Sequence, residues 1–93
     1  MHYLYIIYSK TADKFYIGET QNLEERLQKH NEHLYNNSFT KIASDWKLVL
    51  QFNCINRDNA LFLEQFIKRM KSRKFIEKII SQPNILNEIL TKL

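Results

Sequence analysis

The chain has 93 residues, 44% of them hydrophobic and 13% aromatic, with a formal net charge of +4 at pH 7. That suffices for one small domain with its own core, expected over residues 1–93. No run of 18 apolar residues and no basic-then-apolar leader occurs, which argues against a membrane span and predicts no secretory signal. Cys54 has no partner for an internal disulfide, and a cytoplasmic protein is expected.

Residues 2–8, HYLYIIY, are aromatic and β-branched and predict a strand. Ser9–Lys14 is a polar connection, and Phe15–Gly18 predicts a second strand, so the two form a hairpin. Gly18 is the only glycine in the chain. Glycine is required where φ is positive or where something approaches the backbone closely. Asn22 is a good N-cap, with Glu25 three residues on as in a capping box. Leu23, Leu27, His30 and Leu34 then recur at helical spacing. YNNS at 35–38 ends that helix, 39–45 is a polar loop, and Trp46–Phe52 predicts a third strand. A second helix from Arg57 or Asp58 to about Arg73 places Ala60, Phe62, Leu63, Phe66, Ile67 and Met70 on one face. A shorter helical piece covers 75–81. Pro83 opens a last helix with Ile85, Leu86, Ile89, Leu90 and Leu93 as its apolar side. The order β-β-α-β-α plus C-terminal helices predicts an α+β domain: a small three-stranded antiparallel sheet flanked by helices.

The charge is localised. Residues 1–56 and 79–93 each sum to zero, so the whole excess lies in 57–78. There Arg57, Lys68, Arg69, Lys71, Arg73, Lys74 and Lys78 face only Asp58, Glu64 and Glu77. Such a cluster points either to a polyanionic partner or to a basic helix end that complements the macrodipole.

Side chains with chemistry collect in three places. Tyr3, Tyr5 and Ile7 share one side of the first strand, and Tyr16 and Gly18 one side of the second. A pairing with Tyr5 and Tyr16 on one face brings two phenols beside a bare glycine, although aromatic strand residues are also ordinary core. Arg26 precedes His30 by one helical turn; its planar fork suits phosphate oxygens, or a neighbouring Glu. Glu64 borders the apolar face of the second helix, placed either to hold Mg²⁺ or to pair with Lys68 at i,i+4. No zinc spacing, multi-glycine phosphate loop or nucleophile elbow is present, and His2, His30 and His33 form no defensible ligand set.

Together, YLYII at 3–7, YIG at 16–18, TQNLEERLQKHN at 20–31 and ALFLEQFIK at 60–68 resemble the GIY-YIG nuclease superfamily, most of all its short stand-alone bacterial members. The resemblance covers about residues 2–75 and leaves a helical tail over 76–93. It implies a metal-dependent endonuclease that hydrolyses phosphodiester bonds of nucleic acid, DNA in preference to RNA, in DNA repair or processing. It places the first motif's tyrosine on Tyr5, the second motif on Tyr16, Ile17 and Gly18, the helix arginine on Arg26, the histidine of short members on His30 and the metal-binding glutamate on Glu64. Tyr3 and Leu4 replace the Gly and Ile of the first motif, and Ile76 stands near where larger members carry a polar residue.

On this reading Glu64 holds Mg²⁺ or Mn²⁺, Arg26 stabilises phosphoryl charge, and Tyr16 orients or deprotonates the attacking water with Tyr5 positioning it. An unperturbed phenol is about one part in a thousand ionised at pH 7, so Tyr16 needs either a lowered pKa or a concerted proton relay. Gly18 lets phosphate or water approach the strand edge, and Lys68, Lys71, Arg73 and Lys74 hold flanking phosphates. A nucleic-acid-binding module without strong catalysis is the alternative. A homodimer through the last helix and a separate targeting protein are the other partners considered.

Overall fold

A computed structural model describes residues 1–32 and 42–92. The elements in chain order are β1 (His2–Ser9), β2 (Lys14–Thr20), α1 (Leu23–Asn31), β3 (Trp46–Cys54), α2 (Arg57–Met70), α3 (Arg73–Ser81) and α4 (Asn84–Thr91). The expected helix ending at 35–38, the first part of the 39–45 loop, and His33, Leu34 and Leu93 lie outside the described residues.

The strands form one antiparallel sheet in the order β2-β1-β3. β1 is central because both of its faces are apolar. Leu4 and Ile6 enter one core with Ile17, Leu50, Leu63, Ile67, Ile79 and Leu86, while Tyr5 and Ile7 enter a second with Trp46, Leu23 and Leu27. Helices α2, α3 and α4 therefore cover one face of the sheet and α1 the other. The two cores demand opposite orientations of Trp46 and Leu50, which lie four apart and would share a face in a regular strand. A register shift between Ile6 and Ile7 resolves this: Ile6 pairs with Leu50 but Ile7 with Leu48, so Val49 is the extra residue of a β-bulge.

Local signals set the boundaries. Asp13 closes the hairpin at φ 53°, a left-handed conformation that Asp tolerates better than most residues. Asn22 caps α1 by accepting from the backbone N–H of Glu25 at 3.1 Å. Asn56 caps α2 in the same way through Asn59 at 2.9 Å. The second helix stops at Met70, short of the expected Arg73. Lys71 turns left-handed (φ 47°, ψ 40°), and Ser72 caps the next helix by accepting from the N–H of Phe75. The last helix packs on its own domain through Leu86, Ile85, Ile89 and Leu90. The apolar side that suggested a homodimer is thus largely used within the chain. No helix among the described residues is long and apolar enough to cross a membrane.

Candidate functional site

The β1–β2 register sets Tyr5 directly opposite Gly18 and Ile7 opposite Tyr16, so the two phenols are diagonal neighbours on the α1 face. Their ring centroids are 6.4 Å apart. Gly18 does not have positive φ. A Cβ added there would fall 2.8 Å from Cε1 of Tyr5 and closer still to its Cζ and hydroxyl. Of the two uses of a glycine, close approach is the one that holds. The approaching group is the phenol of Tyr5.

Helix α1 supplies the third ring. Tyr5 Oη and His30 Nε2 are hydrogen-bonded at 2.9 Å, and the imidazole lies 4.7 Å from the ring centroid of Tyr16. The next residue anchors the helix: Asn31 donates through Nδ2 to the carbonyl of Trp46 at 3.0 Å and accepts from its N–H at 2.7 Å. Tyr5 and His30 are each 1% exposed. Burial, reinforced by the Arg26 charge, lowers the His30 pKa to about 4, so the imidazole is neutral at pH 7. The neutral imidazole is the hydrogen-bonding partner of the buried Tyr5 hydroxyl. Tyr16 is only partly buried, which makes it the phenol a substrate can reach.

The remaining motif residues come from opposite sides. Arg26 lines a cavity of about 480 Å³ with Thr20, Asn22, Lys29 and Arg57, close enough to His30 to influence its charge. Glu64 lies on α2. Its Oε2 accepts from Lys68 Nζ at 3.3 Å, the i,i+4 pair foreseen as the ordinary use of this residue, and the same ammonium stands 5.6 Å from the Tyr16 ring centroid. Tyr16 thus has His30 on one flank and the Lys68–Glu64 pair on another. The lysine contact had no signal in the sequence, because it spans β2 and α2. Nor was Glu19 foreseen, which pairs with His2 and lies 3.6 Å from Arg57 at the rim of the Arg26 cavity.

The basic residues divide. Lys68 and Lys71 stand beside Tyr16, whereas Lys74 is an exposed residue in the first turn of α3. Arg73, expected on phosphates, is bound to the hairpin. Its Nη2 meets Asp13 Oδ1 at 2.6 Å, its Nη1 donates to the Asp13 carbonyl at 3.0 Å, and its guanidinium covers Phe15. Tyr8 donates to the same carboxylate, and these two partners hold the Asp13 pKa below its ordinary value.

Among the described residues no group of three or more His, Cys, Asp or Glu converges. A metal at this site would have Glu64 as its protein carboxylate, with water and substrate oxygens completing the shell. That suits Mg²⁺ or Mn²⁺ and not a structural zinc. Glu64 is well placed for this, since its side chain is 18% exposed and already faces a cation, the Lys68 ammonium. Such a partly exposed pair is worth only about 0.3–0.5 kcal/mol and leaves the carboxylate exchangeable.

Comparison with known proteins shows what the chain is similar to. Residues 1–78 match the family model of the GIY-YIG catalytic domain. A UPF0213 protein of Syntrophus aciditrophicus (strain SB) is 34% identical over 83 residues, covering 88% of this chain and 93% of its own. The solution NMR structure of a UPF0213 protein from Bacillus halodurans superposes with a TM-score of 0.55 at 26% identity, covering 87% of this chain and 83% of that one.

Proposed function

The chain belongs to the GIY-YIG family, in which nuclease activity is general, and on that premise we propose that it is a divalent-metal-dependent endonuclease that hydrolyses nucleic-acid phosphodiester bonds, acting on DNA. The observation that carries the proposal is the convergence on Tyr16 of groups from three elements: Tyr5 of β1, His30 of α1 and Lys68 of α2, whose ammonium also pairs with Glu64.

Each residue has a part set by its surroundings. Tyr16, the accessible phenol, orients the attacking water and accepts its hydrogen bond. Tyr5 and His30 are buried and act as positioning residues, holding the Tyr16 ring by packing and by the Oη–Nε2 bond. Arg26 offers its guanidinium to the phosphoryl oxygens from the neighbouring cavity. Glu64 would hold Mg²⁺ or Mn²⁺, which when bound supplies positive charge to the phosphate and the leaving oxygen. Lys68 and Lys71 extend positive charge along the strand that leads away from the site.

The test is cleavage of nicked, branched and single-stranded DNA and of a structured RNA, in Mg²⁺, in Mn²⁺ and in EDTA, by the parent protein and by Glu64→Ala and Arg26→Ala. The proposal expects metal-dependent cutting that both substitutions abolish while the fold is kept. Equal cutting by all three proteins would reject the site. Salt-dependent binding without cutting would favour a nucleic-acid-binding module.

A further inference from the structure

A groove distinct from the Arg26 cavity runs between the free edge of β2 and the elbow where α2 meets α3. Its volume is about 560 Å³, within the range of small-ligand sites. Ile17 and Ile67 lie beneath it as buried core residues, half-buried Tyr16 and Ile76 offer apolar surface, and the exposed Lys14 and Lys71 also line it. Among the described residues, no acidic side chain lines it. Lys14 and Lys71 are both exposed and form no ion pair among the described residues. The left-handed turn at Lys71 ends α2 there and so creates the elbow.

An apolar slot with cations at its mouth suits a flat, weakly polar ring carried on a polyanionic chain. It offers no carboxylate that would hold a cationic ligand. We infer that this groove takes one unpaired nucleotide of a nucleic-acid strand, its base against Tyr16 and Ile76 and its flanking phosphates on Lys14 and Lys71. The inference rests on the nucleic-acid reading above and names the substrate class: strands with an unstacked base beside the cut, as in single strands, flaps and frayed ends. A base within a continuous duplex is stacked and paired, and entering the groove requires that it first leave the stack. Tyr16 belongs to both the groove and the phenol cluster, so the bound nucleotide lies next to the proposed reaction centre.

Binding separates this inference from catalysis. A fluorescein-labelled deoxythymidine decamer and an abasic deoxyribose-phosphate decamer of equal charge are titrated against the full chain in EDTA, so that no cleavage occurs. The groove predicts that the base-bearing strand binds at least roughly fivefold more tightly, the lower end of what one seated base contributes. Ile76→Trp, which fills the groove, is expected to erase that preference. Lys71→Glu is expected to weaken both strands by a similar factor. Equal affinity of the parent for both decamers, or binding of neither, overturns the inference, and that comparison needs no variant to fold. A preference that survives in folded Ile76→Trp overturns it as well. Base-dependent binding by a protein that cuts nothing would leave the groove standing and remove only the nuclease.

Discussion

Gly18→Ala is expected to be the most damaging single-methyl change in the sheet. The added Cβ overlaps three atoms of the Tyr5 ring, the farthest at 2.8 Å. The ring is fixed by β1, is 1% exposed and is tied to His30, so it has no free direction in which to move. Inserting a methyl group into such packing costs about 1–3 kcal/mol, and loss of the Tyr5–His30 hydrogen bond adds about 1 kcal/mol. The sum, about 2–4 kcal/mol, corresponds to a fall in Tm of roughly 10–20 °C for a domain of this size. Thermal unfolding followed by circular dichroism gives that number. NMR titration gives a second: when the phenol is displaced, the imidazole regains water and the His30 pKa climbs from about 4 toward 6.5. In a Tyr5→Leu background the alanine should cost much less, because the overlapping ring is gone. A Gly18→Ala protein with parental Tm and an unmoved His30 would refute the reasoning. So would a full penalty that persists without the Tyr5 ring.

Further outcomes follow from the same contacts. The folded-state pKa of His30 lies below its unfolded value, so the unfolded chain binds the extra proton between pH 6.5 and about 4. Stability at neutral pH should therefore fall as pH drops through that window, by up to about 3 kcal/mol, and urea midpoints of a His30→Gln protein should lack this component. Asn31→Ala removes both hydrogen bonds to the Trp46 backbone and leaves that N–H and carbonyl unpaired; a loss of about 1–3 kcal/mol is expected in denaturant unfolding, with no change in the α2–α4 layer. Arg73→Ala frees the hairpin turn, and amide exchange should quicken at residues 10–14 while α4 keeps its protection.

What was legible in the sequence had a local cause. The hairpin, the cap at Asn22 and the β-β-α-β-α order all follow from neighbours a few residues apart. Of the motif residues, the structure gathers Tyr5, Tyr16 and His30, and it brings Lys68 to the flank of Tyr16. The end of α2 was hidden because neither glycine nor proline marks it; a lysine takes the left-handed position, and only Ser72 as an N-cap hints at the break. The bulge at Val49 was hidden because it answers the demands of two cores at once. Arg73 was read as a phosphate contact because its partner, Asp13, is 60 residues away in sequence. Gly18 was correctly singled out, but its neighbour could be named only once the register set Tyr5 opposite it.

Single-turnover cleavage under saturating protein, with Mg²⁺ or Mn²⁺, compares the parent with Glu64→Gln on one substrate that the parent cuts. The substitution keeps the shape of the side chain and removes only its charge, and matched Tm values certify the fold. If Glu64 holds the metal beside Tyr16, the rate falls by a factor of about a hundred or more, the scale of losing a charge-stabilising group. Equal rates in the two proteins would contradict the assignment of this face of the molecule as a metal-dependent phosphodiesterase centre.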